Sequence, residues 1–270
     1  MTGTKIVKVR LDGNGAGDGL PRLREDPTVK KAVDLFESLP YNISASDDSK
    51  YFDGVIDGCE GWNLQSPEIQ KTLDTLIEKH SMSAGFIKRA GLFISALIEG
   101  STHRKFDLEV HQPLDYIGYH LRGGKEITLK GDVGKGLGFG MGGIEASSIT
   151  LDGNAGFGVG GWMCSGKIHV KGDAGNSVGF CLGKFFFPDM GERGIPLPHT
   201  PPLIIIDGNA GTETGNGMRE GKIQVNGEMG ENAGPSMDGG IIEAGKVKGV
   251  SAHFKWGRIY ENGVLIAGRE

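Results

Sequence analysis

Several things are scarce in this 270-residue chain, and each scarcity excludes something. Cysteine occurs three times, at Cys59, Cys164 and Cys181. No two of them form a CxxC pair, so a zinc or iron–sulfur site has no scaffold, and an odd, sparse set suits a reducing compartment. Basic residues show no excess: 29 Lys and Arg stand against 34 Asp and Glu. That balance argues against a dedicated nucleic-acid binder. Long apolar runs are missing too. The longest, Gly91 to Ile98, is far too short to cross a bilayer, and Met1 to Leu11 lacks the apolar core of a signal peptide. These features predict a soluble, cytoplasmic protein that binds neither nucleic acid nor membrane.

What the chain has in excess is glycine, at 48 residues. That is about 18%, against an ordinary ~7%. No Gly-X-Y triplet runs through the sequence, which excludes collagen. Ile, Val and Leu recur between the glycines at fixed steps, which excludes a low-complexity linker. The glycines crowd into the part from Gly118 onward, and this shift divides the chain into 1–112, a mixed α/β or helical region, and 113–260, with 261–270 as a tail.

In the first region Lys5 to Leu11 alternates as a strand would. Asp26-Pro27 opens a helix whose apolar stripe is Val29, Ala32, Val33 and Phe36. Ser66-Pro67-Glu68 opens another, striped by Ile69, Leu73, Leu76 and Ile77. A third covers about 84–99, with Phe86, Ala90, Phe93 and Leu97 on one face.

The second region is an internal repeat. Gly131, Gly153, Gly172, Gly208 and Gly227 align. Three residues on stand Gly134, Gly156, Gly175, Gly211 and Gly230, and seven on stand Gly138, Gly160, Gly179, Gly215 and Gly234. Four before each first glycine is an Ile (127, 149, 168, 204, 223), two before is Leu, Val or Ile, and ten on is Met or Leu. Degenerate copies precede it (Leu114, Gly118, Leu121) and follow it (Val247, Gly249). A unit this small cannot fold alone, but stacked units bury a continuous column. The fold class is therefore mainly β: a stacked-coil β-helix, or β-solenoid. The Ile column forms a buried ladder, and the glycines mark positive φ or close approach between coils.

One unit breaks period, with an insertion at about 184–202. It holds Phe185, Phe186, Phe187 and Pro188, then further prolines. Insertions in solenoids project from one face, and neighbouring aromatics along an extended chain cannot all point inward. These four residues are the expected partner interface.

Other motifs read as structure. Gly161–Lys167 falls one residue short of a P-loop, with Ile168 where Ser or Thr must hold magnesium. Gly134–Gly140 looks like a dinucleotide turn, but the repeat explains Gly134 and Gly138. The polar column Asp132, Asn154, Asp173, Asn209 and Glu228 would suit cation binding or acid–base work, but it reads as tight-turn residues that bond nearby backbone N–H groups. His111, His120, His169 and His199 do not cluster, and Cys164 and Cys181 read as buried thiols. No catalytic, cofactor-binding or metal-binding residue emerges.

The turns Gly153-Asn154-Ala155-Gly156…Met163…Gly166-Lys167-Ile168, Gly172-Asp173-Ala174-Gly175 and Gly208-Asn209-Ala210-Gly211…Met218…Gly221-Lys222-Ile223 carry a resemblance. Over about 113–260 they are similar to the GXGXG β-helix family. That fold is shared by the β-helical subunit of formylmethanofuran dehydrogenase and the C-terminal domain of the large glutamate synthase polypeptide. The resemblance implies a non-catalytic scaffold subunit of a multi-subunit enzyme. The first choice is formylmethanofuran dehydrogenase, or the related formyltransferase/hydrolase complex, and a glutamate-synthase-like assembly is the alternative. It also implies that this chain binds no cofactor itself, while catalytic partners carry molybdopterin or tungstopterin, iron–sulfur clusters or flavin. A stand-alone β-helix enzyme acting on carbohydrate is the rival, and it needs an exposed groove with converging carboxylates.

Overall fold

The computed structural model describes residues 26–41, 43, 47–183 and 200–268. Four helices come first: α1 (Pro27–Ser38), α2 (Asp48–Gly58), α3 (Ser66–His80) and α4 (Phe86–Gly100). Asp26 caps α1 through its carboxylate, which accepts from the Thr28 N–H, and the predicted stripe Val29, Ala32, Val33 and Phe36 is buried. At α3 the N-cap is Gln65 rather than Ser66, because the Glu68 carboxylate reaches back to the Gln65 N–H. The α4 helix starts after Gly85, which takes φ 70°. The α2 helix is an element that apolar spacing did not reveal.

Nine strands then follow in one sheet whose spatial order is the chain order. They are β1 (Lys105–Glu109), β2 (Glu126–Lys130), β3 (Ser148–Asp152), β4 (Lys167–Val170), β5 (Leu203–Ile206), β6 (Lys222–Met229), β7 (Asp238–Val247), β8 (Trp256–Glu261) and β9 (Val264–Gly268). The first eight pair in parallel, one per coil, and β9 folds back antiparallel on β8. The protein is a β-solenoid of about seven turns carrying a helical segment at its N-terminal end. The sheet opens at Lys105, upstream of the boundary that glycine density marks.

The Ile column is in register as expected: Ile127 faces Ile149, then Ile168, Ile204 and Ile223, all 2% exposed or less. Leu129, Leu151, Val170, Ile206 and Val225 form the second inner row. The insertion does not disturb this order, since Ile168 still meets Ile204 directly. The last copy of the repeat is placed differently from the Val247–Gly249 reading. Ile242 and Ala244 stand opposite Ile223 and Val225, and the register then slips beyond Val225. Ala244 keeps the strand inward while being too small to look like a repeat residue.

From Tyr116 to Ser236 each coil turns through three left-handed residues spaced two apart. In one coil they are Gly136, Gly138 and Gly140, with φ of 70°, 66° and 66°. In others the flanking positions are Tyr116 and His120, or Ser177 and Cys181, while the centre stays glycine. The centre favours glycine twice over, because its φ is left-handed and a Cβ on Gly138 would press on the end of the Ile168 side chain. The middle column has another reason. Gly156 has no positive φ, but a Cβ there would sit 2.8 Å from the Gly134 carbonyl oxygen of the coil below. One column is set by conformation and contact together, the other by close stacking alone.

Candidate functional site

Helix α3 lies across the outer edge of β1 and replaces the strand that would otherwise sit there. The Ser66 hydroxyl accepts from the Asp107 N–H at 3.0 Å, and Gln70, one turn on, accepts from the Glu109 N–H at 2.8 Å and donates to the Glu109 carbonyl at 3.1 Å. Between the helix and the sheet runs a groove of about 550 Å³. Asp74, Asp107 and Glu109 bring carboxylates to it, and His111, Thr128 and Lys130 complete the wall. Asp74 accepts from Gln70 at 2.8 Å, and Glu109 faces Lys130 at 3.8 Å. Such a groove suits hydroxyl-rich or cationic ligands. Asp107 and Glu109 come from one strand, however, rather than from neighbouring coils.

Behind the groove, α2 and α4 press polar and aromatic side chains onto the first coil. Asp48 pairs with Lys88 at 2.5 Å, and burial still pushes the Asp48 carboxyl upward despite that cation. Lys88 lies 5.8 Å over the Tyr116 ring. Ser49 and Tyr119 share a hydrogen bond at 3.2 Å. His120 stacks on Tyr119 with centroids 4.0 Å apart and meets the edge of Phe52. Burial, with Arg122 nearby, pulls the His120 pKa down to about 3, so its ring is neutral at pH 7. Arg89, 1% exposed, donates to the Phe36 and Leu39 carbonyls at the end of α1 and lies between the Phe36 and Tyr41 rings. A cation at the negative end of a helix needs no carboxylate to explain it.

The residues singled out in the repeat are spread along the coils. The polar column is a hydrogen-bond ladder from coil to coil. Asp132 accepts from the Asn154 N–H (2.8 Å), Asn154 from Asp173 (2.9 Å), Asp173 from Asn209 (2.7 Å) and Asn209 from Glu228 (2.8 Å). Lys167 opens β4 on the exposed side and Ile168 is core. Ser165 bonds both the N–H and the carbonyl of Gly143. Cys164 and Cys181 are buried and form no disulfide, and burial pushes the Cys164 thiol upward. His169 points outward to Asp207 at 2.9 Å. Among the described residues no three His, Cys, Asp or Glu side chains converge as metal ligands, and no helix is long and apolar enough to cross a membrane. Phe185, Phe186, Phe187, Pro188 and His199 lie outside the described residues.

Sequence reasoning missed the groove and the Asp48–Lys88 cluster. The groove depends on α3 side chains meeting β1 about 40 residues later, and the cluster on α2 meeting both α4 and the first coil, so no local pattern marks either. Compared with models of protein families, with curated proteins and with solved structures, the chain matches none.

Proposed function

We propose that this chain is a non-catalytic scaffold subunit of a cytoplasmic multi-subunit enzyme. The GXGXG-like repeat makes a formylmethanofuran dehydrogenase, or the related formyltransferase/hydrolase complex, the first assignment and a glutamate-synthase-like complex the second. The observation that carries the scaffold reading is the polar column. The side chains best suited by type to chemistry are committed to backbone N–H groups of the next coil. A group that accepts a structural hydrogen bond at every coil is poorly placed to exchange protons with a substrate. In this reading the molybdopterin, tungstopterin, iron–sulfur or flavin chemistry belongs to partner chains, and the insertion carrying Phe185, Phe186, Phe187 and Pro188 contacts them.

The test is purification of a tagged copy from its native source, with identification of stoichiometric companions. Chains bearing molybdopterin or iron–sulfur clusters support the first assignment, and flavin-bearing synthase chains the second. Recovery of the chain without enzyme partners overturns both.

One observation favours a second reading, a β-helix protein acting on carbohydrate: the carboxylate-lined groove beside α3. Incubating the isolated chain with a panel of polysaccharides and measuring reducing ends separates the two. Turnover that disappears in Asp107→Asn would replace the scaffold reading.

A further inference from the structure

Asn14, Asn216, Asn226 and Asn262 are each followed by glycine. The pair matters chemically, because a glycine nitrogen is sterically open to attack the asparagine side-chain amide before it. Asn14 lies outside the described residues. At two of the others the stack ties that nitrogen down. The Gly217 N–H donates to the Pro235 carbonyl of the next coil at 2.7 Å, and the Gly227 N–H to the Gly208 carbonyl at 3.0 Å. Asn262-Gly263 differs. It is the two-residue loop between β8 and β9, with Glu261 paired to Val264 across it, and both residues are exposed. Among the described residues nothing accepts a hydrogen bond from the Gly263 N–H, and nothing lies within 4 Å of where a side chain on Gly263 would begin.

The closed turn is itself unreactive. Asn262 takes φ 46° and Gly263 77°, the pattern of a type I′ turn. A left-handed residue has ψ of roughly +47°, which sets the Gly263 nitrogen on the far side of the Cα–C bond from Cβ. Attack on the side chain therefore waits until the hairpin opens. Among the described residues β9 is bonded only to β8, so it can open alone, whereas freeing Gly217 or Gly227 means parting two coils.

We infer that Asn262 is a modification site, where opening of the hairpin leads to deamidation and to isoaspartate. The Gly263 nitrogen bonds to Cγ of Asn262, and the Cγ–Nδ2 bond breaks. Ammonia leaves with the amide proton of Gly263, and a succinimide ring is left. Solvent water then opens the ring at either carbonyl. Opening at Cγ gives aspartate; opening at the main-chain carbonyl gives isoaspartate, whose backbone runs through Cβ. No oxidant or reductant enters. The extra methylene no longer fits a two-residue loop, whose length fixes the register of the strands it joins. A new carboxylate also stands next to Glu261 in the chain. The product is an irreversible record of opening at this end of the solenoid. This inference concerns the chain itself and stands apart from the scaffold reading.

Ageing the full chain in mildly alkaline buffer, followed by peptide mapping with mass spectrometry and enzymatic methylation of isoaspartate, tests it. Conversion at Asn262 should run at least about tenfold faster than at Asn216 and Asn226, and slower than in a free peptide of residues 256–268. Val264→Gly, which weakens the hairpin, should raise the rate at Asn262 and leave the other two unchanged. Modified protein should lose amide protection in β9 and keep it from β2 to β6. Equal conversion at Asn216 or Asn226 overturns the inference. So does an intact Asn262 after the free peptide has fully converted, a rate indifferent to Val264→Gly, or a modified chain whose β9 amides stay protected.

Discussion

The two ends of the solenoid solve the same problem in opposite ways. Both terminate a parallel sheet and leave backbone groups and apolar rungs uncovered. At the N-terminal end a helical layer is built for the purpose. Ser66 and Gln70 satisfy the edge of β1, and α4 packs so closely that Gly91 has the Asp115 carbonyl where a side chain would be. Aromatic rings of the first coil are stacked beneath. Among the described residues the C-terminal end has only a hairpin, with Trp256, Val264 and Ile266 open. Capping therefore depends less on apolar content than on whether polar side chains reach the edge. The C-terminal hairpin has apolar residues in abundance but no described equivalent of Gln70.

The comparison can be broken from the middle first. Ile168 is fully buried between the Ile149 and Ile204 rungs, and Ile168→Ala should cost about 2–5 kcal/mol. Because coils touch only their neighbours, hydrogen exchange should then show the two ends opening independently; unchanged cooperativity would contradict nearest-neighbour stacking. Gly91→Ala attacks the helical cap. Overpacking against a backbone oxygen should cost about 3 kcal/mol, and amides of α4 and the first coil should lose protection while those of β6 to β8 keep it.

Acid should separate the ends as well. His120 has a folded pKa of about 3, below the ordinary 6.5. The unfolded chain binds the proton first, so stability present above pH 6.5 is lost as pH falls from 6.5 towards 3, by about 1.4 kcal/mol per unit at most. A melting series in wild type and His120→Phe checks it, because the variant should lose that slope.

Smaller effects follow along the ladder and at the open end. Asn154→Ala removes the acceptor for the Asp173 N–H and should cost about 1 kcal/mol in denaturant titration. Trp256→Ser, on the exposed hairpin, should change stability by no more than about 0.5 kcal/mol. A larger loss measured at low protein concentration would mean that the hairpin seals the core after all.

The repeat was legible because strand alternation and coil stacking both leave one-dimensional marks. An inward Ile every coil and a glycine wherever a Cβ would strike its neighbour can be read without knowing the path between them. The flanking left-handed positions were not legible. Tyr116, His120, Trp162, Ser177, Cys181 and Glu213 share no side-chain property, and their conformation is imposed by the coils on either side. Helix α2 was hidden because its eleven residues include Gly54 and several aspartates, and its stability comes from Tyr51, Phe52 and Val55 docking elsewhere. The first strand escaped the glycine count because its coil holds only Gly118 of the column. The groove beside α3 was invisible for a stricter reason: no local pattern records that Gln70 will meet Glu109.

Between Gly183 and β5 the chain carries its extra length, yet the register resumes without a slip: Ile168 meets Ile204 and Val170 meets Ile206. Length added at that corner is thus invisible to the stack, whereas length added as whole coils is not. Neighbouring strands stand about 4.8 Å apart, so the seven intervals from β1 to β8 make a rod about 34 Å long. Removing one coil, such as residues 153–171, would draw the two ends closer by a single step of about 4.8 Å and no intermediate amount. The molecule is a ruler graduated in coils, and anything attached to its two ends is held at a distance that evolution or an engineer can change only in whole divisions.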